Sequence, residues 1–266
     1  IVEVCLSDIT SAVNAASGLA SSIELCVDRT GAGGVTPSYG LIKQVVQRVA
    51  AINSSVVVNV LIRPRDGDFV YSDDDFDIIL ADIAAAKDAG AHGLVVGILT
   101  ADGRVDEPRM RQVRRASAPL QLTFHRAFDV INLHGGSVEE ALQQVLDLGC
   151  DRLLTSGRAH KACSAAGMEC LKKLTQYVQV AAPSFVVVAA SGVSSMNCAQ
   201  LIAETGVQGV HAGGSVTESM CVRDGGGDNR NDHNQSQGEG GVGDFNIRQI
   251  VNPMSVRELV AKSSQL

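Results

Sequence analysis

Val2-Glu3-Val4-Cys5-Leu6 and Ile23-Glu24-Leu25-Cys26-Val27 read alike: apolar, Glu, apolar, Cys, apolar. Each is a run of strand formers, and side chains alternate faces along a strand. One face of each segment is therefore aliphatic, and the other carries a carboxylate and a thiol. As neighbours in a parallel sheet, the two segments would aim two Glu and two Cys into one small space. Soft sulfurs beside acidic groups suggest a soft metal or an enzyme pocket.

Working outward, eight apolar, β-branched runs start near Ile1, Ser22, Val56, Gly93, Leu120, Arg152, Phe185 and Gly209. Between most of them the pattern changes to a helical period, as over 12–20, 41–51, 76–89, 138–148 and 197–205. The later ones end in Gly, at Ala89-Gly90, Leu148-Gly149 and Thr205-Gly206. Strands alternating with helices imply parallel pairing and right-handed crossovers. Eight such units predict an α/β fold, a single-domain (β/α)8 TIM barrel over residues 1–266. An open doubly wound sheet is the alternative. Its central strands would be apolar on both faces, whereas one face here carries Glu3, Glu24, Asn59, Arg63, Gln121, Thr123 and His125. A barrel with a polar mouth explains that alternation. Ser255 and Glu258 predict a capping box opening the last helix before Leu259 and Val260.

With 266 residues, 45% of them hydrophobic, the chain can bury roughly three quarters of its unfolded surface. A net charge of −7 without a basic cluster argues against nucleic acid or an anionic membrane as partner. No apolar run approaches the ~20 residues that span a bilayer. The seven cysteines are odd in number and form no C-x-x-C pair, which disfavours a zinc module or a disulfide scaffold. That usage fits a reducing compartment, and a cytoplasmic location is the expectation. The chain opens inside a strand at Ile1 without Met, which leaves room for residues upstream. Residues 224–244 hold seven Gly and only Val242 as a sizeable apolar residue, too little burial to offset ordering. The ordinary reading is a mobile surface excursion. A lid is the alternative, which unchanged ligand affinity on deletion would remove.

In a barrel, chemistry sits at the C-terminal ends of the strands. Cys5 and Cys26 fall within one residue of such ends. Thiolates on adjacent strands, about 4.8 Å apart, can hold Cu(I). Free Cys also packs as a small hydrophobe, and that reading stays open. Glu3 and Glu24 inside a barrel need a partner, and Arg63, ending the third strand, is the predicted one. The set is either a structural network or a general acid/base pair. His125 is predicted to face inward, as an acid/base group, a metal ligand or a satisfied structural residue. His211 holds the matching place on strand eight. Asp129 would cap the next helix or orient Arg126. The loops at Ala190-Ser191-Gly192 and Ala212-Gly213-Gly214-Ser215 lie where many barrels bind phosphate, a weak signal. The Gly loop at residues 31–37 does not have the dinucleotide spacing.

Several segments taken together resemble the copper homeostasis protein CutC family. They include Glu3-Val4-Cys5, Ile23-Glu24-Leu25-Cys26, Gly33-Gly34-Val35-Thr36-Pro37-Ser38 and Arg63-Pro64-Arg65-Asp66-Gly67-Asp68-Phe69-Val70-Tyr71-Ser72. Thr123-Phe124-His125-Arg126-Ala127-Phe128-Asp129 and Leu153-Leu154-Thr155-Ser156-Gly157 continue the series. The resemblance implies a cytoplasmic barrel, a homo-oligomer (dimer or tetramer), linked to copper tolerance or Cu(I) binding. It implies Cys5 and Cys26 as copper ligands, and Glu3, Glu24, Arg63, His125, Arg126 and His211 as pocket lining. The C-terminal third departs. Ala189-Ala190-Ser191-Gly192 stands where the family tends to have Pro-Gly-Gly-Gly, and Ala212-Gly213-Gly214-Ser215 follows His211 in place of Cys-Ser-Ala-Arg.

The leading expectation is Cu(I) binding through Cys5 and Cys26. The alternative is a barrel enzyme acting on a small anionic or sugar-like substrate. Glu3, Glu24 and His125 would then be its acid/base groups, Arg63 its charge stabiliser, and Asn59, Arg126 and His211 further pocket residues. A third reading is a structural oligomer with an indirect link to copper.

Overall fold

The computed structural model describes residues 1–28, 33–221 and 247–264. Strand and helix alternate from the start. The first half comprises β1 (Val2–Leu6), α1 (Ile9–Ser17), β2 (Ser22–Leu25), α2 (Tyr39–Ile52), β3 (Val57–Leu61), α3 (Asp73–Asp88) and β4 (Gly93–Val96). It continues with α4 (Glu107–Ser117), β5 (Gln121–Phe124), α5 (Val138–Asp147), β6 (Arg152–Thr155), α6 (Ala165–Ala181), β7 (Val186–Ala189), α7 (Cys198–Thr205) and β8 (Gly209–Ala212). The eight strands pair in chain order, all in parallel, and β8 closes onto β1 through Glu3 opposite His211. The expected (β/α)8 barrel is present and the open sheet is excluded.

The alternation of each strand sorts its side chains into two environments. Val4, Leu6, Ile23, Leu25, Val58, Val60, Leu94, Val96, Leu122 and Phe124 face the helices and join one continuous buried layer. The other parity faces the axis. There Cys26, Leu61 and Val95 form one small apolar cluster, and Leu154, Val188 and Ala190 another. The remaining inward positions are polar, which a closed barrel tolerates where side chains satisfy one another.

Helix starts follow their sequence signals. Asp8 caps α1 through Ser11 N–H at 2.9 Å, and Ser72 with Asp75 and Ser137 with Glu140 make full capping boxes. Gly90, Gly149 and Gly206 follow α3, α5 and α7 with φ of 90°, 72° and 73°, the left-handed geometry that lets a helix stop.

After the eighth strand one element is unanticipated and one expectation is corrected. An antiparallel ribbon of β9 (Thr217–Cys221) and β10 (Ile247–Val251) precedes the last helix, α8 (Pro253–Ser263). Helix α8 starts ahead of the predicted capping box. Its cap is Asn252, whose side chain accepts from Met254 N–H and Ser255 N–H, and Pro253 fits the first turn because it has no N–H to satisfy. The excursion at 224–244 lies outside the described residues. No helix among the described residues is long and apolar enough to cross a membrane.

Candidate functional site

Register places the twin segments. On β1 and β2, Glu3 lies opposite Ser22 and Cys5 opposite Glu24, so Cys26, just past β2, sits one step higher on the same inward face. The sulfurs converge: Cys5 Sγ is 3.5 Å from Cys26 Sγ, and the Cys5 thiol donates to Glu24 Oε1 at 3.8 Å. Leu61 and Val95 wall the pair, and Cys26 is wholly buried. The bond to Cys26, then burial and the nearby Glu24 charge, push the Cys5 thiol well above its ordinary range. Cys5 is therefore a protonated thiol at neutral pH.

Beneath the sulfurs lies a charge network. Glu3, 1% exposed, receives Arg152 Nη2 at 2.9 Å and the Asn59 amide at 2.8 Å on one oxygen, and faces His211 Nδ1 at 3.1 Å with the other. Burial alone would raise its pKa, but Arg152, His211 and Asn59 hold it well below the carboxylate range. The predicted partner of Glu3, Arg63, is thus corrected to Arg152. Arg63 lies two residues past β3, too far up the barrel, and its guanidinium donates to Gly34 O at 2.9 Å and Gly67 O at 2.7 Å.

Glu24 differs from Glu3 in kind. Its Oε2 is buried and has no hydrogen-bond partner among the described residues. Burial, helped by the Glu3 charge, raises its pKa against the pull of His211 and Arg152. For His211 burial works toward the neutral form, but Glu24, Cys5 and Glu3 together raise its pKa well above the usual histidine value. Two donor sets therefore share Glu24: Cys5, Glu24 and Cys26 above, and Glu3, Glu24 and His211 below, each with donor atoms within 4.8 Å of one another.

Gly93 on β4 keeps this network in register. A methyl there would collide with the Asn59 amide oxygen and crowd the Gln121 carbonyl. Gly93→Ala should push Asn59 off Glu3 and destabilise the fold by about 1–3 kcal/mol in urea denaturation. An unchanged midpoint would show that the amide has room to move.

His125 belongs to neither donor set among the described residues. Its Nδ1 accepts from Ala127 N–H at 3.2 Å, its ring packs 4.9 Å from Phe69, and Gly97 lies against its face with no room for a methyl. Burial, then the Arg63 charge, lowers its pKa to about 3, so it is a neutral imidazole. Of its two predicted roles Asp129 performs the orienting of Arg126; the next helix, α5, is capped by Ser137 instead, and Asp129 braces the loop after β6. It accepts Arg126 Nε at 2.9 Å and also Ser156 N–H, Ser156 Oγ–H, Arg158 N–H and Thr155 Oγ1–H.

Two cavities open at the mouth. One of about 330 Å3 is bounded by Arg63, Phe69, His125, Arg126 and Leu154. The other, about 510 Å3, runs from Cys5 and His211 to the Gly-rich strand ends at Ser191–Ser194 and Gly213–Ser215. A larger cavity of about 610 Å3 lies at the opposite end around Arg152 and Phe185, away from the strand ends that carry barrel chemistry. Sequence reasoning missed Arg152. Its signal was parity: it is two residues before Leu154 on β6, and both face the axis.

The sequence pattern of the CutC family matches residues 1–216, ending where the β9–β10 ribbon begins. A CutC family protein of Vibrio vulnificus is 45% identical over 218 residues, covering 81% of each chain. One of Bacteroides fragilis is 40% identical over 209 residues, covering 79% of this chain and 78% of that one. Among solved structures, a Streptococcus agalactiae CutC protein named for copper homeostasis superposes with a TM-score of 0.72 at 32% identity, over 80% of this chain and 97% of that one. An N-(5'-phosphoribosyl)anthranilate isomerase from Pyrococcus furiosus, 12% identical with a TM-score of 0.56, shares the fold alone. The twin Glu–Cys strands, the barrel they close and the match over residues 1–216 together place this chain in the CutC family.

Proposed function

We propose that the protein serves copper homeostasis by binding Cu(I) at the barrel mouth through Cys5 and Cys26. The observation that carries the reading is the 3.5 Å separation of two inward sulfurs on adjacent strands. Metal–thiolate bonds of about 2.3 Å put two sulfurs roughly 4.6 Å apart in a linear site and roughly 4 Å apart in a trigonal one. The trigonal arrangement needs the smaller movement. Glu24 Oε1 and His211, which hydrogen-bonds Cys5, are the neighbouring third donors. Thiolate softness selects Cu(I) over Mg or Ca.

Binding must displace the proton of Cys5, whose pKa stands above its ordinary value. Affinity therefore rises with pH, by about tenfold per pH unit for each proton released. Anaerobic titration of Cu(I) against a chromophoric chelator should give one Cu(I) per chain and that slope between about pH 6 and 8. Protein that retains no Cu(I), or an affinity flat with pH, would remove the reading.

A second reading rests on Glu24. A buried carboxyl oxygen without a partner among the described residues, beside a protonated His211, is a proton donor or acceptor held ready. In that reading the protein is an acid/base enzyme for a small anionic or sugar-like substrate, and Glu24→Gln would remove turnover that Cys5→Ser/Cys26→Ser leaves in place.

A further inference from the structure

The 330 Å3 cavity between β3 and β5 meets the sulfur pair at Leu61, and its side chains offer hydrogen-bond donors. Asp129 is the one carboxylate in its lining among the described residues, and both of its oxygens are spent on five donors. That carboxylate, 7% exposed, locks Arg126 through Nε, while the Arg126 side chain remains 46% exposed. Arg63 adds a second cation, its guanidinium 5.0 Å from the Phe69 ring centroid. His125 is neutral and accepts at Nδ1, so its ring proton is placed on Nε2. That buried Nε2–H has no acceptor among the described residues. Two fixed guanidinium groups, one saturated carboxylate and an unanswered N–H leave the cavity one positive charge in excess and short of acceptors.

We infer that this cavity binds a small organic or inorganic oxyanion, a carboxylate or a phosphate, anchored on Arg126. Asp129 at Nε and Ser156 Oγ at Nη2, 3.3 Å away, preset the guanidinium, so its remaining Nη1 and Nη2 protons meet the oxygens of either group with little ordering lost. Phe69 supplies a flat apolar wall for whatever the anion is attached to. Arg126 also borders the 510 Å3 cavity, so a ligand held there extends toward Cys5 and His211. The inference needs neither copper nor turnover.

The test is calorimetric titration of metal-free protein with inorganic phosphate and, separately, with malonate. One or both should bind saturably at one site per chain, and the one that binds identifies the source of the oxyanion. Arg126→Gln should weaken binding by at least about tenfold, and Arg126→Lys by less. Arg111→Gln, an exposed residue on α4 outside the cavity, should change nothing. Cys5→Ser/Cys26→Ser should leave anion binding intact, which separates this outcome from the copper reading. Melting curves would confirm that each variant is folded. Absence of binding by both anions, or Arg126→Gln binding like the parent, would overturn the inference.

Discussion

The double substitution Cys5→Ser/Cys26→Ser is expected to lower Cu(I) affinity by more than about a hundredfold, since even changes outside a metal's immediate ligands cost up to that much. Serine keeps nearly the same shape but offers a hard, protonated oxygen in place of a soft thiolate. A hydroxyl in place of the Cys5 thiol would retain an acceptor in Glu24, so the barrel should stay folded. Each single variant should retain one sulfur and bind more weakly than the parent but more tightly than the double. Competition against a chelator checks the order, and circular dichroism checks the fold. A double variant that binds as the parent does would assign copper elsewhere, to the other cysteines or to the carboxylates.

The second large effect is on stability. Arg152→Leu takes from Glu3, 1% exposed, its guanidinium partner at the barrel axis and leaves His211 as the facing cation. Breaking a buried pair on one side costs about 3–5 kcal/mol where the remaining charge is uncompensated, and His211 holds the loss toward the lower end of that range. Adding Glu3→Gln should recover much of the loss, since a neutral amide can still bond Asn59 and Ser22. Urea denaturation of the two variants checks this, and equal instability of single and double would show that Arg152 acts by packing.

The same pair sets the acid limit. Glu3 is depressed in the folded state relative to an ordinary value of 4.5, so its contribution is fully present above that pH. It is lost as the pH falls below 4.5 toward the folded value. Unfolding free energy should therefore fall with acid through that window, with a shallower slope in Glu3→Gln.

The fold was legible because barrel strands declare their two faces. The β1 and β2 repeat showed an aliphatic side and a Glu–Cys side, and the closed sheet needed both. The Cys5–Cys26 convergence was legible for the same reason, since parity and neighbouring strands suffice to place two side chains together. The partner of Glu3 was not. Arg63 and Arg152 share the inward parity, and only barrel stagger, which sequence does not state, puts Arg152 level with Glu3 and Arg63 near Gly34. The saturation of Asp129 was equally hidden, because its donors come from Thr155, Ser156 and Arg158 on the neighbouring strand end. The β9–β10 ribbon was not anticipated because its two five-residue strands are far apart in sequence, without the short turn that marks a hairpin.

X-ray absorption at the copper edge of Cu(I)-loaded protein addresses the thiol pair most directly. Two sulfur neighbours at about 2.3 Å, lost in Cys5→Ser/Cys26→Ser, are the predicted result. A first shell of nitrogen and oxygen only, or a sulfur signal that survives the double substitution, would contradict it.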